Sequence, residues 1–337
     1  MVKKKPSRFN AESTTDQVLA DIDLTGKTAV ITGATGGLGA ETARALASKG
    51  ATVVLAARDQ AKLATTVARI KQSTGNQNIF SIHLDLADLK SVRIAADQIL
   101  TEHPKIHMLI NNAGVMACPL SYTAQGMETQ FGVNHVGHFL FTNLLISALL
   151  LAAPSRVVNL SSGGHKYGCI DLHDPNWEDQ EYNKWKAYGA AKTANALFAV
   201  ELNNRLSARG VTAFAVHPGV IYTDLARHLT EEDIQMLSGL NKSDFPSDQD
   251  LQSKQIQGQR GKLIIKSVEA GAATTVWAAT SSDLNDQGGL YLEDCQVALQ
   301  VQPPTQSHGY YDYVVDPELA EELWQKTEEL IGEEFDL

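Results

Sequence analysis

Cysteine is scarce, with three in 337 residues, and Cys118, Cys169 and Cys295 form no CxxC pair. That excludes a disulfide scaffold and a cysteine-built zinc site, and it fits a reduced, cytoplasmic protein. Positive charge is in deficit, 28 basic against 39 acidic residues for a formal charge of −11. Such a surface repels phosphate backbones and anionic headgroups, so no nucleic-acid partner is expected. Long apolar runs are missing too. The longest, residues 139–153, falls short of the ~20 residues a membrane span needs and is interrupted by Asn143 and Ser147. No membrane insertion is expected, and a segment apolar on nearly every face belongs in the core or at a subunit contact. The opening MVKKKPSRFNAESTTDQ has lysines but no apolar stretch behind them. It is no secretory signal, and residues 1–24 read as a solvated, frayed extension. Repeats and low-complexity tracts are absent.

What is present is an alternation. Short β-rich runs at 28–31, 52–56, 79–84, 108–110, 156–160, 212–216 and 289–292 are separated by helical stretches. Strands alternating with helices imply βαβ units, a parallel sheet and helices on both faces. The expected fold is a single doubly wound, Rossmann-type α/β domain over 25–300 with about seven strands. Two segments break the rhythm: 163–187 is a polar and aromatic insert before a helix, and 224–262 is expected to serve as a substrate lid. A tail, 301–337, carries a short acidic helix at 317–330.

The first strand runs into Thr32-Gly33-Ala34-Thr35-Gly36-Gly37-Leu38-Gly39 and then a helix. Glycines there allow a tight turn, approach of a pyrophosphate to the amides, and close helix–strand packing. The helix N-terminus adds unpaired N–H groups and partial positive charge. After the second strand, an acidic residue would hold a ribose 2′-hydroxyl, whereas an arginine accommodates a 2′-phosphate. The strand here ends Ala56-Ala57-Arg58, with Asp59 one place later. This favours NADP(H) while leaving NAD(H) open.

These residues, with others in order, resemble the short-chain dehydrogenase/reductase family over about residues 25–297. The matching pieces are TGATGGLG at 32–39, Asp85-Leu86, Asn112-Ala113-Gly114 preceded by Asn111, and Asn134 in FGVNHVG. They continue with Ser161-Ser162, Tyr188-x-x-x-Lys192, and Pro218-Gly219-Val220 with Thr223. The wording is most similar to the retinol-dehydrogenase-like branch. The resemblance implies that Ser162 hydrogen-bonds the reacting oxygen, that Lys192 also holds the nicotinamide ribose, and that Asn134 positions a relay water. Gly33, Thr35, Gly36, Gly37, Leu38, Gly39, Arg58, Asp85, Leu86, 112–114, Tyr188, Lys192, 218–220 and Thr223 would then surround the cofactor. Gly33, Gly37 and Gly39 fit the single-domain branch and Gly33, Gly36 and Gly39 the extended branch; Asn111-Asn112-Ala113-Gly114 is typical of the first.

The residue chemistry agrees. A tyrosine is a poor base at neutral pH unless its phenolate is stabilised. A lysine four places on lies on the same helix face, and its cation lowers the phenol pKa by Coulomb attraction. Tyr188 can then exchange a proton with an alcohol or carbonyl as hydride moves. Tyr182-x-x-x-Lys186 has the same spacing but sits in the polar insert. Between Ser161 and Ser162, which leave a strand in opposite directions, the family pattern favours the second. His135 and His138 have no supporting ligand and read as packing residues. His217 is either structural or a cofactor contact. His165, Trp177, Tyr182, Trp185 and Tyr222 either line a hydrophobic pocket or pack loops. The expected activity is NADP(H)-dependent interconversion of an alcohol and an aldehyde or ketone on a hydrophobic small molecule, with no metal. NAD-dependent secondary-alcohol oxidation, enone reduction and a non-enzymatic cofactor-binding role are the alternatives, and a homodimer or homotetramer is possible.

Overall fold

The computed structural model describes residues 7–238, 256–257, 264–303 and 308–337. Its centre is an eight-stranded sheet in the order β10-β9-β6-β5-β4-β1-β2-β3. The strands are β1 (Thr28–Thr32), β2 (Thr52–Ala57), β3 (Ile79–His83), β4 (Met108–Asn111), β5 (Ser155–Leu160), β6 (Val211–His217), β9 (Leu290–Glu293) and β10 (Gln296–Val297). A two-stranded ribbon, β7 (Ile256–Gln257) with β8 (Ile264–Ile265), lies apart from it. Every pairing in the large sheet is parallel except β9 with β10. β10 is the one strand beyond the seven expected, a hairpin partner reached through Asp294 and Cys295, both at positive φ.

The helices are α1 (Thr15–Val18), α2 (Gly37–Ser48), α3 (Gln60–Thr74), α4 (Leu89–Glu102), α5 (Thr129–Phe131), α6 (Gly137–Leu144), α7 (Ile146–Leu151), α8 (Lys184–Leu206), α9 (Glu231–Ser238), α10 (Val268–Thr280) and α11 (Pro317–Ile331). They form two layers. One core lies between the sheet and α4, α6, α8 and α11, with Phe139, Leu197 and Trp324 in it; the other lies under α2, α3 and α10, with Leu46, Leu63 and Trp277. The strands are apolar along nearly their whole length because both faces are covered.

Chain order reverses between β1 and β4, where the turns after the two strands open side by side. In this fold class such a switch point is where ligands bind.

Three expectations about segments need correcting. Residues 7–24 are not frayed: Phe9, Val18, Leu19, Ile22 and Leu24 pack into the core beneath α10, and the Gln296 side chain donates to the carbonyls of Ser7 and Phe9. The insert ends sooner than 187, because Asn183 caps α8 by accepting from the amides of Trp185 and Lys186. The tail from 308 onward is part of the domain, with α11 laid across α8 and its Trp324 ring 4.7 Å from that of Phe139. Of the expected lid, 239–255 and 258–262 lie outside the described residues. The apolar stretch 139–153 lies in α6 and α7, broken at Leu145, with Phe139–Asn143, Leu145, Ile146, Ala148 and Leu149 buried and Leu151 exposed. Among the described residues no helix is long and apolar enough to cross a membrane.

Candidate active site

The turn after β1 is shaped by close approach. Gly33 has φ +68°, and a Cβ there would lie 2.7 Å from Cα of Ala113 on the turn after β4. A Cβ on Gly39 would meet Asn112 Nδ2 at 2.5 Å and Gly33 O at 2.6 Å. The pattern of necessity is therefore that of the single-domain spacing. Gly36 is different, since a Cβ there meets nothing within 4 Å. Gly36 precedes α2 and offers no side-chain cap, so the first amides of α2 face open space. A diphosphate fits that cradle: the donors are unspent and the backbone is bare. Thr223 closes it from the other side, its Cγ2 3.1 Å from where a Cβ on Gly37 would stand. Leu38 lies against Gly271 of α10, and the Thr35 carbonyl accepts from Thr66 Oγ1.

Arg58 is exposed just past β2. Asp59, exposed beside it, accepts from the Lys62 amide as N-cap of α3. Asp85 turns back to accept from the Ala87 amide, and Leu86 is buried against Gly137. Val220 pairs with Ile265 after Pro218 and Gly219, the latter at φ +93°.

The turn after β4 hangs on one hydroxyl. Thr32 Oγ1 accepts from the amides of Asn112 and Ala113, both at 2.9 Å. Its own proton goes to His138 Nε2 at 2.8 Å. His138 Nδ1 is 2.9 Å from the Asn134 carbonyl, which only accepts, so the proton is on Nδ1 and the tautomer is fixed. Burial pushes this imidazole down to about 4, keeping it neutral. Asn134 sits in a single π-helical turn, Gly132–Val136, and its side chain spends both ends on Val115, accepting from N at 2.8 Å and donating to O at 3.0 Å. A Cβ on Gly114 would lie 3.0 Å from Asn134 Oδ1 and 3.5 Å from Lys192 Nζ. Sequence reasoning passed over His138 as packing; its polar partners are 106 residues away at Thr32 and inside the π-turn, with no local signal.

Tyr188 and Lys192 project from the first turns of α8, both buried. Ser161 turns inward and donates to the Lys192 carbonyl at 2.8 Å, whereas half-buried Ser162 faces Tyr188 across Gly164, where a Cβ would meet Ser162 Oγ at 3.3 Å and the Tyr188 ring at 2.6 Å. Lys192 Nζ donates to Leu160 O at 2.9 Å and lies 5.8 Å from the Tyr188 ring centre. Burial pushes Lys192 down to about 8. Tyr188 is pushed up to about 12, because burial outweighs the lowering by Ser162. The expected lowering by Lys192 is not realised within the protein alone, since its ammonium is drawn toward Leu160.

Tyr182 lies outside α8. Its hydroxyl donates to Glu128 Oε1 at 3.0 Å and receives Gln130 Nε2, pinning the insert to α5. Trp177 packs edge-on against it. Tyr167 and Trp185 form a second aromatic pair, 5.6 Å apart. His165 is buried under the Ser162 turn, and half-buried His217 accepts the Gly163 amide beside it. Asp233 of α9, absent from the sequence reading, joins Lys184 and Trp185 Nε1 at the start of α8. Among the described residues no cluster of His, Cys, Asp or Glu is arranged to hold a metal.

With this geometry in place, comparison with known proteins is informative. The family model described as short chain dehydrogenase matches residues 27–234. Retinol dehydrogenase 13 of Homo sapiens is 40% identical over 309 residues, covering 92% of this chain and 86% of that protein. Retinol dehydrogenase 11 of Mus musculus is 42% identical over 279 residues, covering 83% and 81%. A crystal structure of an uncharacterized protein from Mycobacterium Paratuberculosis superposes with TM-score 0.70 at 33% identity, covering 97% of this chain and all of that one. The L-sorbose reductase of Gluconobacter frateurii, solved with NADPH and L-sorbose, shares the fold at TM-score 0.61 and 18% identity, covering 82% and 98%. The chain therefore belongs to the short-chain dehydrogenase family, and it is an oxidoreductase acting on CH–OH donors with NAD(P).

Proposed function

We propose that this enzyme interconverts an alcohol and an aldehyde or ketone on a hydrophobic small molecule, with NADP(H) as cofactor and Tyr188 as general acid/base. The observation that carries the reading is the convergence of Ser162, Tyr188 and Lys192 where the turns after β1 and β4 meet. The nicotinamide supplies or takes up the hydride. Ser162 orients the substrate oxygen, and Tyr188, holding its proton at neutral pH, donates it to a carbonyl. Lys192, buried beside Gly114, is placed to hold the nicotinamide ribose and to favour the phenolate as the proton leaves. Asn134, beside Gly114 and Lys192, would position a relay water. The NADP(H) preference rests on exposed Arg58 and on Asp59 capping α3 one place later. The hydrophobic substrate class rests on the retinol dehydrogenases among the relatives.

The test pairs NADPH and NADH titrations, followed by nicotinamide fluorescence, on wild type and Arg58→Ala. Tighter NADPH binding that collapses in the variant is expected; tighter NADH binding overturns the cofactor assignment. A carbonyl panel with NADPH follows, starting from retinaldehyde and extending to aliphatic aldehydes and cyclohexanone. Turnover confined to small polar carbonyls would overturn the substrate class.

A further inference from the structure

The main-chain carbonyl of Ser162 is held from below by its near neighbour His165, whose own amide donates to it at 3.1 Å, and by β9 far along the chain. His165, fully buried in the 3₁₀ turn Gly163–Tyr167, places Nδ1 2.7 Å from it, and the Tyr291 hydroxyl of β9 donates to it at 3.0 Å. The other ring nitrogen, His165 Nε2, receives the main-chain N–H of Tyr311 at 3.3 Å. An amide N–H only donates and a carbonyl only accepts, so a neutral imidazole here carries its proton on Nδ1. Burial keeps it neutral, pushing its pKa down to about 4. Tyr313 Oη then donates to the His165 carbonyl at 2.6 Å, and Tyr291, Tyr311 and Tyr313 surround the imidazole edge-on. From the opposite side His217 Nδ1 accepts the Gly163 amide at 3.0 Å. The peptide that follows Ser162 is thus fixed at both its oxygen and its nitrogen. What remains of Ser162 is its Oγ, which accepts from Gly164 N and meets Tyr188.

We infer that His165 is a positioning residue for Ser162, and that tail segment 308–315 sets its tautomer and seat. The inference rests on the reading of Ser162 given above. Ser161 and Ser162 leave β5 facing opposite ways, so rotation of this one peptide re-aims the hydroxyl that meets the substrate oxygen. A displacement of about 1 Å at such a group costs on the order of 10²-fold in rate.

An asparagine at 165 can offer its amide N–H where Nδ1 stands, whereas alanine offers nothing. With NADPH and the best substrate of the panel, His165→Ala is expected to lower kcat about 10- to 100-fold while NADPH Kd stays within about twofold. His165→Asn should recover most of the loss. Equal losses in the two variants, or a loss confined to NADPH affinity, would overturn the inference. Should His165→Ala fail to fold, Tyr311 decides: its φ of −82° suits proline, so Tyr311→Pro deletes the donor with little backbone change. Tyr311→Ala keeps that donor and loses only the ring. A lower kcat in Tyr311→Pro than in Tyr311→Ala supports the inference, and equality refutes it. Ser162→Ala separates the two layers. If it leaves kcat unchanged, the reading of Ser162 itself fails; if it lowers kcat while the histidine and proline variants do not, only the present inference fails.

Discussion

At Tyr188 a single oxygen decides the chemistry. Tyr188→Phe keeps the ring packed against Gly164 and removes the transferable proton. Turnover is expected to fall about 10²- to 10⁴-fold while NADPH still binds, as steady-state kinetics and fluorescence titration would show. His138 joins two parts of the site rather than doing chemistry. His138→Leu strands the Thr32 hydroxyl and the Asn134 carbonyl, at a cost of about 1–3 kcal/mol by denaturant unfolding. It is also expected to weaken NADPH binding, since Thr32 carries the amides of Asn112 and Ala113. Residues such as Gly33, Tyr188 and Lys192 were legible because their spacing along the chain encodes their geometry. His138 and His165 were not, because their partners stand 106 and 146 residues away. A histidine on an apolar helix face or in a loop looks like packing until the opposite element is known.

Among the elements, α9 is tied to the helix of Tyr188 through one carboxylate. Asp233 carries it: its carboxylate accepts from Lys184, from Trp185 Nε1 and from Thr230, joining the described part of 224–262 to the helix that bears Tyr188. Asp233→Asn should raise the substrate KM several-fold, leave kcat and NADPH affinity nearly unchanged, and speed limited proteolysis within 224–262. An unchanged KM would separate α9 from substrate binding. The strands were readable from their β-branched runs and bounding turns, and α8 from its small residues, though its start at Lys184 was misplaced by the aromatic residues before it. One of the elements missed was α1. It has only four residues, too short for a periodic pattern, yet Thr14 and Gln17 form a reciprocal capping box that the sequence TTDQ spells out. Its partner surface, α10, lies some 250 residues on and has no trace in the local pattern.

For the molecule as a whole, two layers of core leave histidines where protons cannot reach. His135, His138 and His165 are each pushed down, to about 3, 4 and 4, by burial. Their folded-state values lie below the unfolded value near 6.5, so the unfolded chain takes up protons first as pH falls. Stability is therefore complete above about pH 6.5 and lost on acidification, by about 2 kcal/mol per histidine at pH 5. Urea unfolding at pH 7.5 and pH 5 would measure this, and pH-independent midpoints would contradict it. The core beneath α11 also bears on assembly. A homodimer or homotetramer formed through the α6–α8 face has to compete with α11, whose Trp324 already sits against Phe139 and Phe198. Trp324→Ala should cost about 3–5 kcal/mol and expose that face. Light scattering would show whether self-association follows.

The docking of segment 308–315 beneath Ser162 also sets an order of completion. During synthesis the glycine turn, Ser162, Tyr188 and Lys192 all leave the ribosome well before Tyr311 and Tyr313. A chain halted near residue 300, or a chimera joined there, would carry every family motif and still lack the tail that seats His165 beneath its serine.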